Sequence, residues 1–342
     1  MTDALLTIEN LRVEFASHEG PLPAVKDVSL SVAPGEIVGL IGESGSGKSL
    51  TCRSVMRLIQ RPGRIAAGRI TFEDRDVLAL SSSQLREFRA HDAGMIYQDP
   101  FSSLNPVLRI GAQVAETLRI NLGMGTAQAK AHAVELLDGV GIPEPARRAL
   151  AYPHELSGGM RQRVMIALAT ASQPKLLLAD EPTTALDVTT QAQILTLLQG
   201  LRAERGMAML LVSHDFGVIA QVCDRVAVMY GGHIVETAPI AEIYTGAQHP
   251  YTRALLESVP DLGSAGSVTR RPGIRGNPPE LTDVPEGCVF APRCDHRRDE
   301  CASVTMALET ITPVHGCACP VRPFAAARAA AAAGQGSGHA DE

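Results

Sequence analysis

The sequence predicts an α/β fold with a parallel sheet at its core and a β-rich layer at its N-terminus. Residues 176–179 and 209–212 are short continuous apolar runs, which is typical of strands buried on both faces. Segments with helical periodicity separate these runs, and strands that alternate with helices indicate a parallel sheet. The alternating residues 5–15 predict an earlier strand that belongs to the N-terminal layer.

The first half of the chain predicts two further strands, a glycine-rich loop and a helix, in that order. The strands cover residues 28–32 and 37–41, and a proline-glycine turn separates them. The helix follows the loop over residues 48–60 and stops at a second proline-glycine pair. Mainly helical patterns then predict a helical subdomain at about residues 99–165.

The second half predicts a capped helix and a β-hairpin. Asp187 is expected to cap a helix that ends near Gly206. Residues 225–230 and 233–237 flank a Gly-Gly pair, which indicates two antiparallel strands joined by a tight turn.

Composition divides the chain into three parts. Residues 1–260 carry the alternating strands and helices. Residues 261–323 start with a linker rich in glycine, proline and serine and contain a group of cysteines. Residues 324–342 form a low-complexity, alanine-rich tail.

Charge and hydropathy exclude some classes of function. The net charge of -6 argues against a general nucleic-acid-binding protein, which normally has a basic surface. The first residues lack the basic and apolar regions of a secretory signal. No apolar run approaches the roughly 20 residues that cross a bilayer, so any membrane spans are expected to come from other chains.

The glycine-rich loop at residues 42–49 matches the phosphate-binding pattern GxxxxGK[ST] and lies between a predicted strand and a predicted helix. The loop N–H groups and the helix dipole are expected to bind phosphates. Lys48 is expected to reach the β- and γ-phosphates, and Ser49 to ligate Mg²⁺. The alternative is a chance match on a glycine-rich turn. The predicted nucleotide-binding residues of this segment are Gly42, Ser44, Gly45, Ser46, Gly47, Lys48, Ser49 and Leu50.

Two acidic residues directly follow the apolar run at residues 176–179. Asp180 is expected to hold Mg²⁺, which is the usual second half of a phosphate-loop site. Glu181 is expected to accept a proton from the attacking water. The alternative is that the two acids cap the turn at Pro182.

A second anion-binding motif, Ser157-Gly158-Gly159, lies at a predicted helix start between the loop and the acidic strand. Triplets of this kind are often simple turns or caps. One ATP molecule does not need two cradles, so we expect this surface to bind the γ-phosphate of ATP that is held by a second subunit.

These motifs, in this order, resemble those of the ABC ATPase family over about residues 5–260. The resemblance implies a RecA-like parallel-sheet core, an N-terminal antiparallel β layer and a helical subdomain. It also implies that Gln98 contacts Mg²⁺ together with Ser49 and Asp180, and that His214 contacts the γ-phosphate. The alternative is that His214 is a histidine near the core whose hydrogen bonds are made within the protein.

The same resemblance places two more residues. Asp187 lies in a loop, Thr184-Ala185-Leu186-Asp187, that resembles the link between the two ATP sites of the family's dimers. Phe15 lies where the family often has an aromatic ring against adenine. A core position in a strand is an equally good interpretation of Phe15.

Longer segments are similar to the first of two paired ATPase subunits in oligopeptide and dipeptide importers. They are LSGGMRQRVMIA, ADEPTTALDVTTQAQIL, HPYT and GNPPELTDVPEGCVFAPRC. This resemblance implies a heterodimer with a second ATPase subunit, two membrane-spanning permease subunits and an extracytoplasmic binding protein. The chain is then peripheral, at the cytoplasmic face of the cell membrane, and DPFSSLNP after Gln98 is expected to dock on a permease. The branch also carries nickel, glutathione and other small cargo.

Four cysteines, Cys288, Cys294, Cys301 and Cys317, resemble those of this branch's C-terminal extension, which hold a [4Fe–4S] cluster in some relatives. Four thiolates suit a cluster or Zn²⁺, and the lack of a CxxC pair favours the cluster. Cys319 and His315 are further candidate ligands. Unliganded thiols are the remaining alternative.

Two other classes of function compete with transport. A soluble ABC-type ATPase of DNA repair or translation usually has a coiled-coil insertion or tandem ATPase domains, and the sequence indicates neither. A regulatory subunit that binds ATP without hydrolysing it is disfavoured, because Asp180, Glu181 and His214 are all present.

Overall fold

The computed structural model describes residues 4–18, 20–99, 103–258, 273–280, 282 and 284–325. Its strands lie in two sheets. The strands are β1 (Leu6–Ser17), β2 (Gly20–Val32), β3 (Ile37–Ile41), β4 (Gly63–Phe72), β5 (Arg75–Asp76), β6 (Ala93–Ile96), β7 (Leu176–Asp180), β8 (Ala208–Ser213), β9 (Arg225–Tyr230), β10 (His233–Pro239), β11 (Glu309–Thr312) and β12 (His315–Cys317).

Along the chain, helices lie between the strands of the parallel sheet, and several of them occupy the segment between β6 and β7. The α-helices span Lys48–Val55, Ser82–Glu87, Ile110–Leu122, Thr126–Gly139, Pro145–Arg148, Gly158–Thr170, Val188–Arg205, Phe216–Val222, Ile240–Gly246 and Pro250–Glu257. A π-helical turn spans Phe88–Asp92, and 3-10 turns span Val77–Ala79, Pro153–Glu155, Ala291–Arg293 and Asp299–Ala302. None of the helices in the described part of the chain is long and apolar enough to cross a bilayer.

The larger sheet has eight strands in the order β11-β12-β10-β9-β3-β8-β7-β6. Its central strands β9, β3, β8, β7 and β6 are parallel. Side chains of β3 alternate between two cores: Ile37 and Ile41 pack among the helices, whereas Val38 and Leu40 face the smaller sheet. Because both faces are buried, these strands read as unbroken apolar runs.

The smaller sheet is antiparallel, with the order β2-β1-β4-β5. It packs through residues such as Leu6, Val25 and Phe72 against the face of the parallel sheet that carries Val38 and Leu40. The predicted α/β fold with a β-rich N-terminal layer is therefore confirmed.

The predicted helix at residues 48–60 is too long, since the helix ends at Val55. Arg57 has a φ of 50°, a left-handed conformation that ends helices. The Arg89 guanidinium donates hydrogen bonds to the carbonyl oxygens of Met56 and Arg57. These carbonyls of the helix end are therefore satisfied without another turn.

The cysteine-containing region adds two strands to the edge of the larger sheet. Strand β12 pairs antiparallel with β10, with Glu236 opposite Cys317, and β11 pairs with β12. Glu236 is fully buried and accepts hydrogen bonds from the backbone N–H groups of Gln248 and His249. It also bonds the ring of His315, at 2.8 Å. This part of the chain therefore shares a hydrogen-bonded sheet with the rest of the fold.

Some predicted segments lie partly outside the described residues. These are residues 261–272 of the linker, residues 100–102 of the proposed docking segment and residues 326–342 of the tail.

Candidate nucleotide-binding site

The phosphate loop connects β3 to the helix Lys48–Val55, as the motif predicts. Lys48 is buried, and its Nζ donates to the carbonyl oxygens of Gly42 at 2.8 Å and Glu43 at 2.9 Å. A third, longer contact of 3.4 Å joins Nζ to Ser46 Oγ. Burial lowers the pKa of Lys48, while the carboxylates of Glu181, Asp180 and Glu43 oppose that shift. The loop thus holds the Lys48 ammonium against two of its own carbonyl oxygens and a serine hydroxyl.

Two glycines allow this loop to approach its neighbours closely. A Cβ on Gly42 would lie 2.0 Å from the backbone oxygen of Met229 in β9. Gly47 has a φ of 103°, and a Cβ there would lie 2.9 Å from the backbone oxygen of Ala24. A side chain at either position would force backbone to move, which explains why the pattern needs glycine there.

Asp180 lies beside the loop at the end of β7. Ser49 Oγ donates to Asp180 Oδ1 at 2.7 Å. The second carboxylate oxygen, Oδ2, is buried without a hydrogen-bond partner, and Arg53 Nη2 lies 3.8 Å from it. Burial raises the pKa of Asp180, and the hydrogen bond from Ser49 opposes the shift. A buried carboxylate oxygen beside a serine hydroxyl fits the oxygen ligands that Mg²⁺ prefers.

Glu181 is the point where several polar side chains meet. Its Oε2 accepts hydrogen bonds from Gln98 Nε2 at 3.0 Å and from Thr184 Oγ1 at 2.8 Å. His214 Nδ1 lies 3.4 Å from the same oxygen. The three predicted residues Glu181, Gln98 and His214 therefore come together.

The backbone of Glu181 is unusual, with a φ of 51°. Residues other than glycine rarely occupy this region, and such strain is common at functional sites. The Glu181 N–H donates to the carbonyl of Val212 in β8, which fixes the turn after β7. The side chain is mostly buried, whereas His214 is 59% exposed.

The Ser-Gly-Gly motif begins the helix Gly158–Thr170. Ser157 is exposed and caps the helix, because its Oγ accepts from the N–H of Met160 at 3.3 Å. A Cβ on Gly159 would lie 2.6 Å from Thr190 Cγ2, so a side chain here would require Thr190 to move. Asp187 caps the next helix, accepting from Thr190 N at 2.9 Å and from Thr190 Oγ1 at 2.7 Å. The predicted cap is confirmed, and Thr190 connects the Ser-Gly-Gly motif to the Asp187 loop.

Phe15 lies on β1 and is partly buried. Its ring packs against the core between the two sheets and limits the space at Gly63, where a Cβ would lie 2.9 Å from Phe15 Cε1. The packing agrees with the core interpretation, and stacking on adenine stays a prediction.

The C-terminal cysteines are mostly buried. All five of the C-terminal cysteines are free thiols. Burial raises the pKa of Cys288 to about 11; a hydrogen bond from the backbone N–H of Phe290 opposes the shift, and the charges of Cys301, Cys319 and Cys294 add to it. Burial raises the pKa of Cys317 too, but there the next cause is Glu236, and Cys319 is the cysteine that acts on it. Cys288 and Cys317 therefore have different electrostatic surroundings, and the ligand set of Cys288, Cys294, Cys301 and Cys317, with Cys319 as a further candidate, stays a prediction.

Metal binding by this group has no preformed site in the described chain. Within residues 4–18, 20–99, 103–258, 273–280, 282 and 284–325, no three His, Cys, Asp or Glu side chains are arranged to hold a metal ion. His315, a candidate nitrogen ligand, uses its Nε2 on the buried carboxylate of Glu236. Glu242 lies 3.6 Å from its other ring nitrogen.

A phosphate loop, an adjacent acidic strand and a parallel sheet together define a P-loop nucleoside-triphosphate-binding protein. Comparison with known proteins narrows this class. Residues 25–184 match the family model described as ABC transporter, and residues 235–301 match the model for the C-terminal region of oligopeptide/dipeptide transporters.

Whole-chain relatives give the same result. A protein of Brucella abortus (strain 2308), provisionally named a peptide import ATP-binding protein, is 48% identical over 92% of this chain and 96% of its own length. A second Brucella abortus protein with the same provisional name is 46% identical over 94% of this chain and 96% of its own length. The chain therefore belongs to the ABC transporter family, and it is an ABC ATPase.

Solved structures agree on the fold. The ATP-binding cassette MJ0796, in a dimeric post-hydrolysis state bound to ADP and Pi, has a TM-score of 0.63 and 29% identity. The match covers 69% of this chain and 98% of that one. A cassette from Clostridium perfringens, cbiO1, has a TM-score of 0.61 and 25% identity, covering 71% of this chain and 92% of its own.

Sequence reasoning missed three contributors to the site. Thr184 was noted as part of a loop, but its hydrogen bond to Glu181 was not predicted. Arg53 near Asp180 carries no motif signal, although it lies on the helix after the loop, one turn beyond Ser49. Arg293 contacts the phosphate loop from the cysteine-containing region, and no local pattern indicates that contact.

Proposed function

We propose that this chain is the ATP-hydrolysing subunit of an importer of di- or oligopeptides. The observation that carries the proposal is the meeting of Gln98, Thr184 and His214 on Glu181, beside Lys48 in the phosphate loop. The peptide cargo is supported by the names of the relatives and by the match of residues 235–301 to the C-terminal region of oligopeptide/dipeptide transporters.

Each side chain has a role in this proposal. Lys48 and the loop N–H groups bind the β- and γ-phosphates of ATP, after Lys48 exchanges its carbonyl partners for phosphate oxygens. Ser49, Asp180 and Gln98 would hold Mg²⁺, which supplies positive charge against the phosphates. The unpartnered Oδ2 of Asp180 supports that assignment.

Glu181 takes the proton from the attacking water in this mechanism. Gln98 and Thr184 hold its Oε2, which keeps the carboxylate aimed at one position. His214, which is exposed and close to the same oxygen, contacts the γ-phosphate. We assign adenine contact to Phe15.

The second half of each ATP site comes from another ATPase subunit. Ser157 and its two glycines lie at the start of a 13-residue helix and are exposed or partly exposed. The N–H groups and the dipole of this helix favour an anion there. Asp187 lies next to this surface and links the two sites of a heterodimer. Two permease subunits and an extracytoplasmic binding protein complete the transporter. In this complex the chain lies at the cytoplasmic face of the cell membrane.

We also propose that the cysteine-containing region holds a [4Fe–4S] cluster on Cys288, Cys294, Cys301 and Cys317, with Cys319 as the alternative fourth ligand. The donor chemistry fits, because thiolates are the usual ligands of such clusters and five free cysteines, four of them buried, lie between positions 288 and 319. Iron and sulfide analysis and the visible spectrum of anaerobically purified protein test this. Colourless protein without iron would remove the cluster.

Uptake assays test the transport function. A strain that lacks this chain should lose uptake of a labelled dipeptide and a labelled pentapeptide. The wild-type chain should restore uptake, and the Glu181→Gln variant should not, although it is produced at the same level. Labelled nickel and glutathione serve as alternative cargo. Restored uptake of these instead of peptides would retain the ATPase function and overturn the peptide assignment.

Co-purification separates transport from its rivals. Permease subunits that purify with the chain support transport, whereas nucleic acid or ribosomes would support a role in DNA repair or translation. A complete complex without ATPase activity would support a regulatory role.

A further inference from the structure

The cysteine-containing region contacts the phosphate loop directly, through Arg293. The two Nη atoms of Arg293 donate to the two carboxylate oxygens of Glu43, at 2.5 and 3.0 Å. Glu43 is the second residue of the phosphate loop, and 250 positions separate it from Arg293. The Arg293 side chain is only 6% exposed. A two-point contact of this kind fixes the orientation of the carboxylate as well as its distance.

The rest of Glu43 is also held in place. Its backbone N–H donates to the hydroxyl of Tyr251 at 2.8 Å, and its carbonyl oxygen accepts from Lys48 Nζ at 2.9 Å. Tyr251 is fully buried on the helix Pro250–Glu257. The loop residue that Arg293 grips is therefore one of the residues that position the Lys48 ammonium.

Arg293 is itself positioned by the C-terminal region. It lies in the turn Ala291–Arg293, between Cys288 and Cys294, and the Ala291 N–H donates to the Cys288 carbonyl at 3.0 Å. Its Nε donates to the Arg275 carbonyl at 2.7 Å. It has little freedom to follow a moving loop.

Aromatic packing stabilises the same contact between the C-terminal region and the phosphate loop. We call this contact the joint; it is formed by Arg293, Phe290, Tyr230, Tyr251 and His249. The ring of Phe290, next to this turn, lies 5.3 Å from the ring of Tyr230 and 5.4 Å from that of Tyr251. Tyr230 ends β9, and its hydroxyl accepts from Arg293 Nη1 at 3.1 Å. The turn, the strand end and the helix thus form one packed unit beneath the loop.

We propose that Arg293 is a positioning residue for ATP binding, which holds Glu43 so that the phosphate loop is preorganised for the triphosphate. The C-terminal region then sets the affinity of the ATPase for its nucleotide without touching it. A loop that is fixed before binding loses less conformational freedom when ATP enters. The inference concerns the ATP site, and it holds whatever the cargo is.

Equilibrium titration of the full-length chain with Mg·ATP tests this inference. Arg293→Met should raise the Kd for ATP by about three- to tenfold, because Glu43 is partly exposed and solvent weakens its ion pair. Glu43→Gln should act similarly. The Kd of the double variant should be no higher than that of the weaker-binding single variant, since both changes remove the same contact. Arg293→Lys keeps the charge without the two-point geometry and should restore part of the affinity.

A second ion pair provides the matched control. Arg225 contacts both oxygens of Glu36, at 2.9 and 3.3 Å, and is also largely buried. In the sheet, Arg225 lies opposite Val38, near the start of β3. The phosphate loop follows Ile41, which is about 10 Å further along that strand. Arg225→Met should lower the thermal midpoint and leave the Kd for ATP unchanged.

Steady-state kinetics give an independent readout. Arg293→Met should raise the KM for ATP and leave kcat within about twofold, since Glu181 and its partners are untouched. An unchanged Kd in Arg293→Met, or additive effects in the double variant, would overturn the inference. If Arg293→Met does not fold, the isosteric Glu43→Gln decides. A wild-type chain that does not bind ATP would overturn the ATPase function and this inference together.

Discussion

The phosphate loop and the cysteine-containing region differ in how far along the chain their contacts reach. The three partners of Lys48, which are Gly42, Glu43 and Ser46, lie within six residues of it. Arg293 reaches Glu43 across 250 positions. A site built from neighbouring residues is specified by a short motif, whereas a joint between distant segments depends on the whole fold.

Substitutions in the two regions should therefore have different effects. Changes around Lys48 and Glu181 should alter binding and hydrolysis of ATP while the fold persists. Changes around Phe290 and His249, which pack together with their rings 6.0 Å apart, should lower stability first.

Glu181→Gln should have the largest effect. Loss of a positioned general base lowers kcat by about 10²- to 10⁴-fold. ATP binding should persist, because Lys48 and Asp180 are unchanged. Measurement of ATPase rate and ATP affinity in the assembled complex tests this, with the exposed Glu204→Gln as the control. Turnover close to that of the wild type would remove Glu181 from its role.

Lys48→Ala should act on the nucleotide rather than on the fold. It deletes the counter-charge of the phosphates, and we expect kcat/KM to fall by about 10²-fold or more. Kinetic assay together with a thermal melt checks both halves of the prediction. Lys175→Ala is the control, because Lys175 is an exposed lysine paired with Glu73. A variant with normal kcat/KM would contradict the assignment.

Phe290→Ala should destabilise the joint. Phe290 is 3% exposed and contacts the rings of Tyr230, Tyr251 and His249. Truncation of a buried phenylalanine costs about 3–5 kcal/mol in the free energy of unfolding. Urea denaturation measures the loss, and Leu150→Ala, at a residue that is 61% exposed, should change little. A cost below about 1 kcal/mol would show that the region packs loosely.

Acid should lower the free energy of unfolding through protonation of His249, which packs against Phe290. Burial lowers the pKa of His249 from 6.5 to about 4, and the charge of Glu236 opposes the shift. The unfolded state therefore binds a proton first as the pH falls, so this stabilisation is complete above pH 6.5 and is lost towards pH 4. Between pH 7 and pH 5 the loss is about 2 kcal/mol.

A variant assigns that loss. His249 Nδ1 accepts from the Tyr251 N–H and caps its helix, and asparagine can also cap a helix without titrating. His249→Asn should reduce the difference in unfolding free energy between pH 7 and pH 5 by about 2 kcal/mol. The remaining slope includes His233, whose pKa burial lowers to about 4. An unchanged pH dependence in His249→Asn would contradict the prediction.

The two regions also differ in what could be read from the sequence. The strands, the loop and the capping role of Asp187 were predictable, because apolar runs and short polar motifs determine local structure. The end of the first helix was not, because Arg89 satisfies the carbonyls of Met56 and Arg57 from 33 and 32 positions away. The position of Cys317 opposite Glu236 also depends on β12 pairing with β10, which no local pattern reveals.

In the proposed mechanism each ATP is held from two sides, by Lys48 of one subunit and by Ser157 of another. A structure of the assembled complex with ATP, made with Glu181→Gln to prevent hydrolysis, tests this directly. We predict that Ser157 and the N–H groups of its helix lie within hydrogen-bond distance of a γ-phosphate bound to the second ATPase subunit. A nucleotide-filled complex in which Ser157 is remote from every phosphate would contradict the account.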